Sequence, residues 1–188
     1  FKEYWADPNN PTQSTFYLGM ANSIASIVVA AIAPLLGSVA DQGSAKKKFL
    51  ILFAFLGVIM TGGLWMVAQG NWQMAVFFYV LATIGFASGN VFYDALLPGL
   101  ASEERVDAVS SLGFALGYLG GGLLFLVNVF MYLKPEIFGI PDGATAIKLS
   151  FLSVAVWWVV FTIPLILFVP EPKNYDTVDF KNAVRMGW

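Results

Sequence analysis

The sequence contains no cysteine and no histidine. Without cysteine there is no disulfide, no thiol nucleophile and no thiolate metal site. Without histidine the usual proton carrier near neutral pH and the commonest metal ligand are missing. Charge is scarce as well. Only 12% of the 188 residues are Asp, Glu, Lys or Arg, against roughly 25% in a soluble domain. The net charge of −2 points to no electrostatic partner of either sign. These shortages argue against a water-soluble globule, a nucleic-acid binder and a disordered tail. They also leave an intramembrane enzyme without its usual groups, so no catalytic residue, metal site or cofactor is expected.

What the chain has instead is apolar bulk. Hydrophobic residues make up 58% of it, with 17 Phe, 6 Trp and 18 Gly, and the mean hydropathy is +0.72. A helix needs about 20 apolar residues to cross a hydrocarbon core. Five runs meet that length: 14–40, 49–68, 72–97, 108–133 and 144–169. They are continuous rather than alternating, which speaks against a barrel. Turn-forming residues separate them, as in Gln69-Gly70-Asn71 and Pro141-Asp142-Gly143. The expected fold class is all-α, a polytopic transmembrane bundle of five spans, with residues 1–13 before it and 170–188 after it.

Basic residues set the expected orientation. If the loop with Lys46, Lys47 and Lys48 is cytoplasmic, Arg105, Lys173, Lys181 and Arg185 fall on the same side, against Lys2, Lys134 and Lys148 opposite. Residues 1–13 are then extracytoplasmic and the 170–188 tail is a cytoplasmic linker. The chain opens on Phe-Lys-Glu-Tyr-Trp, without a starting Met or a signal peptide. A preceding helix is therefore expected, and the chain reads as part of a longer protein.

The first loop carries the most specific pattern, Gly37-Ser-Val-Ala-Asp41-Gln-Gly43-Ser-Ala-Lys46-Lys47-Lys48. Gly37 is expected to let helices approach closely. Asp41, one turn later, could pair with a cation or cap another helix. Gly43 permits a turn, and the lysines are expected to anchor the loop at the lipid surface. The pattern resembles the loop between the second and third helices of the major facilitator superfamily. The fourth run places Gly113, Gly117 and Gly121 on one helix face, a packing surface in most membrane helices. It looks like the glycine motif of that family's fifth helix, with Tyr118 where the motif has proline. Phe92-Tyr93-Asp94-Ala95 with Pro98, and the closing Val169-Pro-Glu171-Pro172, narrow the resemblance to the vacuole-effluxer-like (autophagy-related) branch. The resemblance implies a twelve-helix transporter of which these are helices two to six, and it implies amino-acid efflux as the activity. The host membrane would be the inner or plasma membrane of a bacterium, or the vacuolar membrane of a eukaryote.

Polar residues inside spans are costly in lipid and mark candidate pathways. Asn22 and Ser26 share a face of the first span, and Asn22 lies about 12 Å below its outer boundary. In the third span Thr83, Asn90 and Asp94 share a face. Asn22, Ser26, Asn90 and Tyr93 are the candidate solute-binding residues, with helix-to-helix bonding as the plainer role for each Asn and Ser. Gly37, Asp41, Gly43 and Asp94 are candidates for gating or coupling. Asp94 would take up a proton if buried without a partner, or it could brace a cytoplasmic gate. Asn128 reads as an interfacial residue, and Trp157-Trp158 as packing against a neighbour.

Two functions fit. One is an alternating-access transporter for a small neutral or zwitterionic solute, its partners being the lipid bilayer, the solute, the first helix and a C-terminal half. The other is an accessory or scaffold subunit bound to other membrane proteins.

Overall fold

The computed structural model describes residues 4–6, 10–42 and 45–171. Five helices follow one another: α1 (Pro11–Gln42), α2 (Lys46–Gly63), α3 (Trp72–Leu96), α4 (Val106–Leu133) and α5 (Gly143–Phe168). All five are long and apolar enough to cross a membrane, and there is no strand among the described residues. This is an integral membrane protein of the all-α class. A backbone in lipid must bond to itself, and a helix does so within one segment.

Short 3-10 turns extend α2 (Leu64–Met66) and α3 (Leu97–Gly99), and one precedes α5 (Pro135–Phe138). Gly70 and Gly139 adopt positive φ, +79° and +68°, which L side chains resist. Asn71 caps α3 by accepting the Met74 amide, and Asp142 caps α5 by accepting the Thr145 amide at 2.7 Å. The Thr145 amide, helped by the Thr145 side chain, holds the Asp142 carboxyl below the usual carboxylate range.

α2 and α3 form the centre, with α1 against α3 and α5 against α2. Their contact is set by small residues. A Cβ on Gly85 of α3 would lie 2.7 Å from the Gly57 amide nitrogen and 2.9 Å from the Phe53 carbonyl oxygen, both in α2. From the other side, the Trp158 ring of α5 covers Gly57. Towards the Lys46 end, Phe92 is fully buried and stacks on Phe49 and Phe53, with centroids 5.2 and 5.9 Å away. Towards the Trp72 end, Trp5 packs with Leu64, Val67 and Ala75. Its indole N–H donates to the Val67 carbonyl. Lys148 places its ammonium 5.6 Å from the Tyr4 and Trp65 ring centroids, a cation–π arrangement.

α2 begins three residues before the point where the apolar run starts, and the reason corrects the expectation for its lysines. Lys46 and Lys47 do not spread over a lipid surface. Lys46 donates to the Ala95 carbonyl at 3.2 Å, and Lys47 donates to the carbonyls of Ile166 and Val169 at 2.7 and 2.6 Å. Both cations therefore serve the last turns of neighbouring helices, where carbonyls lack intrahelical partners. Lys48 alone of the three is exposed.

The glycine contact between α2 and α3 generates a stability prediction. Gly85→Ala should lower the thermal unfolding midpoint of the detergent-purified protein, by a loss of about 1–3 kcal/mol from overpacking. Gly117→Ala, whose Cβ meets nothing within 4 Å among the described residues, should leave it unchanged or slightly raised.

Candidate functional site

On α3, Tyr79, Thr83, Phe86, Asn90 and Tyr93 recur at spacings of three and four, so they form one stripe along the helix. The other side of α3 carries Gly85, Ser88, Gly89, Phe92 and Leu96, all buried. The helix is thus split between a packed face and an open one. Across the open face, α4 presents Gly113, Gly117, Gly121 and Gly122. Phe86, Asn90, Tyr93 and these glycines, with Phe114 and Tyr118, line a cleft of about 470 Å³. A second hollow of about 200 Å³ adjoins it, shares Phe86, Asn90 and Tyr93, and is walled by Trp158, Phe161 and Thr162 of α5. Phe86 meets the Trp158 ring edge to face, with centroids 6.0 Å apart.

None of the residues lining either hollow is charged. The Asn90 amide, the phenol hydroxyls of Tyr93 and Tyr118, the Thr162 hydroxyl and several ring faces line the two hollows. Asn90 supplies two donors and an acceptor oxygen, and each hydroxyl can donate or accept. Such a lining can hold an uncharged or internally neutralised molecule by hydrogen bonds and stacking.

The structure brings Asn90 and Tyr93 together and leaves the other two candidates for solute contact outside the cleft lining. Asn22 accepts a hydrogen bond from the Tyr79 hydroxyl at 2.7 Å, on the same α3 stripe but about 16 Å along the axis from Asn90. Ser26 is exposed on α1, one turn from Asn22. Asp94 is exposed rather than buried, in the last turn of α3. Gly37 makes no close helix contact among the described residues, since its Cβ position is empty to 4 Å. Asp41 lies in the last turn of α1 with its side chain outside the described residues, and Gly43 lies outside them, as does the 173–188 segment.

The glycine stripe of α4 faces the cleft instead of forming a helix seam among the described residues. Gly117 and Gly121 have nothing within 4 Å of a Cβ, and Gly113 has only the Tyr93 hydroxyl, at 3.0 Å. The glycine that does meet α5 is Gly120, under the Trp157 ring. Asn128 has a partner that the sequence does not reveal. Its side-chain oxygen accepts from Ser153 of α5 at 2.9 Å, a bond between helices. Sequence reasoning missed Thr162, Phe86 and Trp158 as cleft walls. Aromatic residues are so common in these spans that no spacing singles them out.

The family described as vacuole effluxer Atg22 like matches residues 9–108 and 102–188. An uncharacterized MFS-type transporter of Bacillus subtilis (strain 168), YxiO, is 39% identical over 160 residues, covering 85% of this chain and 37% of its own. Autophagy-related protein 22 of Pichia angusta is 26% identical over 157 residues, covering 71% and 27%. That of Saccharomyces cerevisiae (strain ATCC 204508 / S288c) is 23% identical, covering 86% and 36%. No solved structure is a significant match. The chain therefore spans little more than a third, or less, of the relatives it matches. With a family match running across nearly all of its length, from the start of α1 through α5, the chain belongs to the vacuole effluxer Atg22-like family.

Proposed function

We propose that the protein containing these five helices is a secondary transporter working by alternating access, and that Asn90 and Tyr93 contact its solute. The observation that carries this reading is the charge-free cleft between α3 and α4, present in a chain whose relatives include an MFS-type transporter. Transporter sites lie near the bilayer midplane, at the interface between repeats. Asn90 is six residues, about 9 Å of rise, from the end of α3, which sets it inside the span. The uncharged lining suits a neutral or zwitterionic solute better than a polyanion, and a neutral amino acid, the solute class the family resemblance implies, is the first probe.

In this scheme the Lys46 end faces the cytoplasm and residues 173–188 lead towards a second half. Gly37, Asp41 and Gly43 belong to the loop that latches that side while the transporter faces outward. Asp94, near the same end, couples movement to a proton or braces the gate. Asn22 and Ser26 line the solute path further out, where Tyr79 orients the Asn22 amide. The host membrane is the inner or plasma membrane of a bacterium, or the vacuolar membrane of a eukaryote.

Uptake of radiolabelled leucine into proteoliposomes holding the full-length protein tests the reading. Wild-type flux above empty vesicles is expected for leucine or for another neutral amino acid run beside it. A protein that moves none of them under any imposed gradient would fit the scaffold reading. Asn90→Ala and Tyr93→Phe should each raise KM about two- to tenfold, the worth of one hydrogen bond of about 0.5–1.5 kcal/mol. Asp94→Asn should abolish flux driven by a pH gradient while exchange of labelled for unlabelled solute persists; intact gradient-driven flux would remove Asp94 from coupling. Gly37→Leu and Asp41→Ala should slow turnover with KM unchanged, and normal turnover in both would end the latch proposal.

A further inference from the structure

The two inward lysines of α2 are half of a reciprocal arrangement. α5 stops at Phe168 because Pro170 follows: the residue before a proline is pushed out of the helical region, and Val169 is extended at φ −86°, ψ 117°. The chain then brings the Glu171 carboxylate to the start of α2, where it accepts the Lys47 amide at 3.0 Å. The Lys47 ammonium in turn takes the Ile166 and Val169 carbonyls. α2 thus gives a cation to the negative end of α5, and the continuation of α5 returns an anion to the positive end of α2. Each charge sits where the helix dipole favours it. Lys46 adds the end of α3 through Ala95.

We propose that Lys46, Lys47 and Glu171 are positioning residues. Together they form a clasp that holds the ends of α2, α3 and α5 as one block and fixes where the chain leaves the bundle. A lysine suits position 47 because its ammonium carries three donors and a full positive charge, enough to serve the Ile166 and Val169 carbonyls together at the negative end of α5. The clasp does not depend on the transport reading, and its test uses no solute.

Amide hydrogen exchange of the full-length protein in lipid nanodiscs, read by mass spectrometry, provides that test. In Lys47→Met, exchange should rise by about tenfold or more at residues 46–50 and 165–169, while α4 around residues 120–130 keeps its wild-type rate. Lys47→Arg should restore protection at both ends. Unchanged exchange in Lys47→Met would overturn the proposal. So would a rise spread evenly over all five helices, or equal loss in Lys47→Arg and Lys47→Met. If Lys47→Met does not accumulate in the membrane, Glu171→Ala decides: faster exchange confined to residues 46–50 supports the clasp, and a wild-type pattern refutes it.

Discussion

The bundle turns on the close approach at Gly57. Lipid offers helices little hydrophobic reason to associate, so association rests on van der Waals packing and on hydrogen bonds between helices. At Gly57 the α3 backbone comes in through Gly85 on one side, and the Trp158 ring lies over it on the other. Three helices share that one vacancy. The stacked phenylalanines around Phe92 and the Trp5 cluster lie towards the two ends and extend the same packing. Because α3 spends its small residues against α2, the Phe86, Asn90 and Tyr93 part of its stripe is left open to the other side. The cleft follows from the glycine contact.

That division of labour explains why Asn90 and Tyr93 are available for a ligand while Phe92, between them in sequence, is not. A helix with one packed face and one open face can present an amide and a phenol without loosening the core. The α4 glycines complete the picture. By projecting no side chain they leave room and bring backbone within reach, so the cleft is shaped as much by what α4 omits as by what α3 offers.

Much of the architecture was legible in the amino-acid order. Hydropathy located five helices, because a run of 20 apolar residues has few other uses. Helix ends were less visible. α2 starts at Lys46 rather than at the first apolar residue, since charged heads that find carbonyls on other helices belong to the helix as much as Phe49 does. The site was legible in part. Asn90 and Tyr93 share a face by spacing alone, and the cleft joins them. Asn22 was a plausible companion by depth, yet depth says nothing about which helix lies opposite, and its partner is Tyr79. The glycines of α4 show the same gap: periodicity identifies a smooth face without saying what the face meets. Asn128 is the same: its distance from the span's end says nothing of the Ser153 hydroxyl that it meets on the next helix.

The attachment of α4 bears on how the bundle is made. Met131 is its one buried residue, and it is joined to α5 by the Gly120–Trp157 contact and the Asn128–Ser153 bond. A short capped turn links the two. Asn128 and Ser153 satisfy each other within the pair, so it can enter the bilayer as a preformed hairpin. Docking of α5 onto α2 would then be the late event in biogenesis, and lesions at Gly57 or Trp158 would show first as retention at the insertion machinery or as degradation.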